Sequence, residues 1–243
     1  MSDTGLFRIW VFLAGSPLLW LTVTVLVYLI ALWLYDRSGG HSLVNPILLS
    51  VAGLVGVLHL TGTPYPVYFD GAKFVHFLIG PATVALAVPL YAQVGRLKRM
   101  WLPISVALLA GSTVAIASAV AIARLFGATR ETMLSLAPKS ATLPIAMSVA
   151  EQIGGVPALA AMAVAATGIG GAIMARPLLN LLRIEDPAVR GFSVGIAAHA
   201  AGTARALQVG TVNGAFAALA LALNGVATAL LMPVLIRALR PLL

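Results

Sequence analysis

The sequence predicts an all-α membrane protein that crosses the bilayer repeatedly, and three observations carry that prediction. Of its 243 residues 60% are hydrophobic and only 9% charged, with a mean hydropathy of +1.02. A soluble domain holds about 25% charged residues, so this chain could not hide its apolar surface in water. Second, Ile9–Tyr35, Met100–Ala123 and Asn213–Ile236 carry no charge at all, and each exceeds the about 20 residues that span a bilayer as a helix. Third, the 15 Lys and Arg behind the net charge of +8 fall between such runs. They read as positive-inside signals, not as a nucleic-acid stripe. The absence of cysteine excludes disulfides, thiolate ligands and a Cys nucleophile.

The elements follow in order. Ile9–Tyr35 predicts one helix with a lead-in ending near Pro17. It is too long for a signal-peptide core, and no small-x-small cleavage site precedes Asp36. Asn45-Pro46 opens a second helix to about Leu60, with proline in the first turn. Thr61–Asp70, with Gly62, Pro64 and Pro66, predicts a loop whose Tyr65, Tyr68 and Phe69 suit the membrane interface. Phe74–Gly95 is a third segment, broken at Gly80-Pro81 and again at Pro89. A proline removes one backbone donor and displaces a carbonyl a turn earlier. In hydrocarbon those groups need partners from protein or cavity water.

Arg96, Lys98 and Arg99 make a basic loop, and Met100–Ala123 is a plain fourth segment. After a loop at Arg124–Glu131 come Ala137–Gly155 and then Val156–Ala175, rich in Ala and Gly. A loop at Arg176–Arg190 precedes Gly191–Val209, and the plain run Asn213–Ile236 closes the chain before Arg237 and Arg240. This makes about seven to eight membrane segments in a single domain, residues 1–243, of which some are broken or re-entrant. With the Arg96–Arg99 loop cytoplasmic, Arg237 and Arg240 join it inside only if Ala137–Gly155 re-enters, and a second re-entrant element would reverse the parity. Ala82–Gly95 also aligns without gaps over Ala141–Gly154, an internal repeat of the kind that builds transporters with discontinuous helices.

Two stretches are too polar for lipid. Pro138-Lys139-Ser140-Ala141-Thr142 puts a cation and two hydroxyls at an expected half-helix start, where free N–H groups favour anions. The bland alternative is a lysine that snorkels to the interface. Pro144, Ser148, Glu151 and Gln152 follow. Glu151 is read either as a partner of Lys139 or as a proton or ion-coupling group with Gln152, or else as a loop carboxylate. His199-Ala-Ala-Gly202-Thr203-Ala-Arg205 is the second stretch. His199 and Thr203 share a helix face, Gly202 allows close backbone approach or a break, and Arg205 can grip a carboxylate with two hydrogen bonds. Thr83, beside the Gly80-Pro81 break, is a further candidate for substrate, and Asn45 is either an ion-coupling group or a helix cap. His41, His59 and His76 have no second ligand at metal spacing, and no HExxH, GxSxG or phosphate-loop pattern occurs. No metal, cofactor, nucleic acid or enzymatic activity is therefore expected.

FLIGPATVALAVPLY (Phe77–Tyr91), LAPKSATLPIAMSVAEQIGG (Leu136–Gly155), TGIGGAI (Thr167–Ile173) and GIAAHAAGTARAL (Gly195–Leu207), with NPILLS from Asn45 and YFDGAKF from Tyr68, resemble the LrgB/CidB family. The resemblance runs from about Pro17 to the end. It departs from the family where Ser148 stands in ATLPIAMSVAEQ, in place of a second Thr with a Glu nearer the middle. The resemblance implies a multi-pass protein of the bacterial inner membrane. It implies a carrier of small monocarboxylates such as glycolate, glycerate, pyruvate or lactate, with H+ or Na+ as coupling ion and an elevator-like movement of the site. It implies, as the lower-ranked alternative, an antiholin-like regulator of murein hydrolases; the partner it implies is a small holin-like LrgA/CidA-type membrane protein, with a homo-oligomer as a further expectation. In the carrier reading, the stretches at 80–83, 138–142 and 199–205 converge on one anion site at the midplane.

Overall fold

The computed structural model describes residues 16–41, 44–78, 81, 84–85 and 87–242. The described elements are all helical. Four of the helices are long and apolar enough to cross a bilayer, so the chain is a polytopic α-helical membrane protein. The described residues gather into two compact units that divide after Ala85. The sequence-stretch candidates Gly80 and Thr83 lie outside the described residues, and Pro81 is exposed.

The first unit holds α1 (Pro17–Arg37), α2 (Pro46–Thr61) and α3 (Tyr65–Phe77). Asn45 caps α2, its side-chain oxygen accepting from the Ile47 and Leu48 N–H groups at 2.9 and 3.2 Å. Two of the orphan donors of that helix start are thereby satisfied. The loop expected over Thr61–Asp70 is a correction. Only the turn after Thr61 is irregular, and Pro66 sits inside the first turn of α3, where its missing N–H has no partner to lose. Trp20, fully buried, meets Tyr68 edge-on at 5.9 Å, and the close approach of α3 at Gly71 leaves no space beside Pro17 and Trp20 for a side chain.

The second unit begins with α4 (Ala87–Tyr91) and α5 (Val94–Arg99). The basic stretch Arg96–Arg99 is thus a short helix, not a loop, with Lys98 and Arg99 exposed and Arg96 half-buried. Gln93 precedes this helix as its N-cap, whereas Gln152 lies near the end of another. The aligned repeat Ala82–Gly95 over Ala141–Gly154 therefore does not share one local structure. Next come α6 (Trp101–Leu125), α7 (Arg130–Leu136), α8 (Leu143–Ile153) and α9 (Pro157–Leu181). The last two are α10 (Pro187–Val209) and α11 (Thr211–Ala238). α9 runs through Pro177 well into the loop expected at Arg176–Arg190.

α7 and α8 form a re-entrant hairpin. α8 has 11 residues, about 16 Å of helix, roughly half the hydrocarbon core. Its end returns to α7: the Val156 N–H donates to Ser135 Oγ at 2.7 Å, and Gly155 packs within van der Waals reach of the Leu134–Ser135 backbone. Pro138 lies in the turn at the tip, while Pro144 opens α8 rather than breaking it.

α10 is a second hairpin. His199 has φ 40° and ψ −131°, close to the first central position of a type II′ turn. Gly202 consequently lies against Val194 and Ala198, although Val194 is eight residues away. The expected break at Gly202 is corrected to His199, and Gly202 supplies room for the returning strand of helix. Before the tip, Gly191 and Gly195 follow Asn213 and Ala217 along α11 in parallel; after it, Thr203 and Leu207 meet Ala217 and Gly214 in antiparallel order.

These contacts define an inverted repeat. One hairpin followed by a spanning helix, residues 130–181, is repeated as residues 187–238 with entry from the opposite face. Each hairpin owns one apolar cluster. Ile116, Val120, Met133, Ala137, Val149 and Met232 pack at one end of α6 and α11; Ile104, Ala188, Phe192, Ile196, Phe216 and Ala220 pack at the other. Two re-entrant hairpins instead of one place Arg237 and Arg240 opposite the Arg96–Arg99 helix, against the parity expected from a single one.

Asp186 pins the entry of the second hairpin. Its carboxylate accepts from the Ala188 and Val189 N–H groups and pairs with Arg96 at 2.7 Å. The Val189 hydrogen bond leads in holding its pKa below the usual carboxylate range, with Ala188 and the Arg96 charge adding to it. A depressed folded pKa means stability that is complete above the ordinary value of about 4 and lost as pH falls through the lower one. Asp186→Ala is therefore expected to lower thermal stability in detergent by about 1 kcal/mol at neutral pH. The difference from wild type should shrink as pH falls through the lowered folded-state pKa of the carboxyl group, which a melting series against pH would check.

Candidate functional site

The two hairpin tips meet at the level of the bilayer centre. Ser112 is the twelfth of the 25 residues of α6, and Asn224 the fourteenth of the 28 of α11. Asn224 is 1% exposed. Its Nδ2 donates to the Ser140 carbonyl at 2.9 Å and to the Ile196 carbonyl at 3.2 Å, while its Oδ1 accepts from Ser112 Oγ at 2.6 Å. The orientation of the amide follows from chemistry: the two backbone carbonyls can only accept, so the NH2 must face them.

The other tip is tied across in the same way. The buried His199 ring places Nε2 2.9 Å from the Val164 carbonyl of α9. The ring lies against Gly168, where an added Cβ would meet Cε1 at 2.6 Å. Thr203 Oγ1 donates to the His199 carbonyl at 2.8 Å, satisfying an acceptor freed by the reversal. Each hairpin is thus fastened to the spanning helix of the other repeat.

Beside this centre lies a cavity of about 480 Å³. Lys139 and Ser140 come from the first tip, Thr167 and Gly171 from α9, Phe192, Ser193 and Ile196 from the second hairpin, and Gly111 from α6. Lys139 is half-buried, and its Nζ reaches Ser140 Oγ at 3.4 Å. It is the one charged group among the described residues lining the cavity, and among the described residues no carboxylate lies within ion-pair distance of it. A cation at this depth costs about 2.5–3.5 kcal/mol on insertion scales. The arrangement can therefore receive an anion, with the hydroxyls of Ser140, Thr167 and Ser193 as further hydrogen-bonding groups.

Of the residues singled out from the sequence, Lys139 and Ser140 line the cavity. Thr142 is the N-cap of α8 but its side chain makes no cap hydrogen bond. His199 and Thr203 hold the second tip. Arg205 does not line the cavity; it donates to Gln208 at 3.0 Å farther along the returning half of α10. Glu151 and Gln152 are exposed on α8, Gln152 donating to Ser148 at 3.3 Å, and Glu151 forms no pair with Lys139. Eight or more helical residues separate them, so the short helix holds them at opposite ends. Ser112, Thr167, Ser193 and Asn224 were not singled out. For Asn224 the signal was present: a carboxamide in the middle of an otherwise apolar spanning run is costly unless it is bonded.

Fold and site together define a polytopic membrane protein with paired re-entrant hairpins around a mostly apolar cavity that holds one lysine and three hydroxyl side chains. The sequence profile of the LrgB-like family matches residues 24–238, and the chain belongs to that family. It is 31% identical over 218 residues to the antiholin-like protein LrgB of Bacillus mycoides, covering 90% of this chain and 95% of that one. The antiholin-like LrgB proteins of Bacillus cereus and Bacillus anthracis match with the same identity and coverage. No solved structure matches the chain.

Proposed function

We propose that this protein is a secondary carrier of small monocarboxylates, such as glycolate, glycerate, pyruvate or lactate, in the bacterial inner membrane. One observation carries the reading: Lys139 sits at a re-entrant tip, at the centre of the spanning helices, in a cavity and without a counter-carboxylate. A substrate carboxylate supplies the missing charge. Hydroxyls at Ser140, Thr167 and Ser193 then meet its second oxygen or a hydroxyl or oxo substituent. Two hairpins entering from opposite faces give each side of the membrane its own barrier, which alternating access requires. Coupling to H+ or Na+ belongs to the same proposal.

The test is uptake of labelled pyruvate, lactate, glycolate and glycerate into proteoliposomes, with and without a proton gradient. A charge-assisted hydrogen bond contributes about 1.5–3 kcal/mol, so Lys139→Ala is expected to reduce uptake about 10- to 100-fold. Lys139→Arg should retain more than Lys139→Ala does. Saturable uptake at the wild-type rate in Lys139→Ala would overturn the site.

That the relatives are antiholin-like proteins favours a second reading, an antiholin-like regulator, which would act on a holin-like LrgA/CidA-type partner. It predicts no saturable uptake of any of the four acids and a stable complex with that partner. A cavity that carries one lysine with no carboxylate partner among the described residues has no task in it, which is why it ranks second. An enzymatic role ranks below both, for want of a nucleophile with a base beside it.

A further inference from the structure

We infer that Asn224 is a positioning residue that clasps both hairpin tips at once and thereby sets where Lys139 stands in the cavity. The inference rests on the carrier reading only for its transport consequence. Its basis is the set of three hydrogen bonds at a buried amide: one to the Ser140 carbonyl of the first tip at 2.9 Å, one to the Ile196 carbonyl of the second at 3.2 Å, one from Ser112 at 2.6 Å. Ser140 is the neighbour of Lys139 in the chain, and its carbonyl is at the turn that aims the ammonium. Ile196 and Ser193 belong to the half-helix that forms another cavity wall. The amide uses both of its N–H groups on two elements that enter from opposite faces, so a tip that swings away gives up its own bond while the other tip stays held.

Side-chain chemistry makes this specific. Only a carboxamide offers two donors and one acceptor in this plane. Aspartate has the same shape but turns an oxygen toward two carbonyls. Alanine leaves the Ser140 and Ile196 carbonyls and the Ser112 hydroxyl without the one group that joins them. Ser112 acts through Asn224 by fixing the amide's orientation.

The chain has no cysteine, so a single Ala197→Cys reporter in the cavity wall can be alkylated without background. The rate of its reaction with a water-soluble maleimide in proteoliposomes is measured in otherwise wild-type, Asn224→Asp, Asn224→Ala and Ser112→Ala chains, together with the melting temperature and, in parallel, pyruvate uptake. The expected result is a labelling rate changed about tenfold in Asn224→Asp, less in Ala, and least in Ser112→Ala, which retains the fold. Uptake KM should rise in the same order, with Ser112→Ala keeping its Vmax. Labelling unchanged in Ser112→Ala and in every folded Asn224 variant overturns the clasp. So does a loss of melting temperature in Ser112→Ala with KM and labelling unmoved, which is what a merely structural role gives. Altered labelling in a chain whose wild type takes up none of the acids supports the clasp and overturns the carrier reading.

Discussion

Gly195→Val is expected to leave little folded protein in the membrane, whereas Gly170→Ala should be harmless. Lipid is as apolar as the helices it surrounds, so α10 and α11 are held by contact and by hydrogen bonds, not by the hydrophobic effect. Contact here means backbone on backbone. A Cβ at Gly195 would overlap the Ala217 carbonyl and lie 2.7 Å from the Ala220 methyl group. One turn earlier a Cβ at Gly191 would overlap the Asn213 carbonyl. The pair is a Gly-x-x-x-Gly spacing, which lets two helix axes approach to the backbone. An isopropyl group needs one helix to move, and α11 is also bound to Ser112 and to both tips through Asn224. Overpacking alone costs about 1–3 kcal/mol, and separation of α11 would break those buried bonds as well. Gly170, on the neighbouring spanning helix, has open space around its Cβ position; alanine there gains about 0.5–1 kcal/mol of helix preference. Gel-filtration profiles and melting curves in detergent decide it. A monodisperse Gly195→Val protein with the wild-type melting temperature would disprove the parallel approach of α10 to α11.

Much of this fold was legible in the residues. Charge-free runs longer than a bilayer crossing located α1, α6 and α11, because hydrocarbon tolerates little else. The polar content of Ala137–Gly155 marked the first hairpin, since Lys139 and Ser140 have no reason to face lipid. The second hairpin was only half legible. Its polar residues were found, but the break was assigned to Gly202, as glycine has the freer backbone. Nothing in local preference points to His199, which takes a left-handed φ only because its ring is bonded across the unit to Val164. Arg205 was read as a carboxylate clamp from its chemistry alone, and its depth depends on where the chain reverses. Moving the break from 202 to 199 carries Arg205 away from the tip, toward Gln208. Ser112 was hidden for the opposite reason: a single hydroxyl does not disturb the hydropathy of a run of 25 residues, whereas the Asn224 carboxamide was a visible signal and only its partners were not. Their pairing is a contact between residues 112 positions apart, which no local pattern announces.

His199→Gly should be less destabilising than His199→Ala, and that order is the clearest signature of the second hairpin. In the interior of a continuous helix alanine is better than glycine by about 1 kcal/mol. At φ 40° and ψ −131° the preference inverts, because an L-residue pays about 1–3 kcal/mol for such a backbone while glycine reaches it freely. Either substitution loses the bond to the Val164 carbonyl and empties the space over Gly168, so both should lie below wild type. Only alanine keeps the backbone strain as well. The partner substitution separates ring from backbone further. Gly168→Ala alone drives a methyl group to 2.6 Å from His199 Cε1 and is expected to cost about 1–3 kcal/mol. In the His199→Gly background that ring is gone and the residual neighbour is the Ala201 methyl group at 3.0 Å. The two changes should therefore cost less together than the sum of the singles, the behaviour of residues in contact. Melting temperatures of the two His199 variants, the Gly168 variant and the double variant give the whole cycle. Alanine at 199 melting above glycine would mean that α10 passes through this point as a continuous helix. The inverted repeat, the meeting of the tips and the cavity wall at Ser193 and Ile196 would then fall together, since all of them depend on the chain turning back at this one residue.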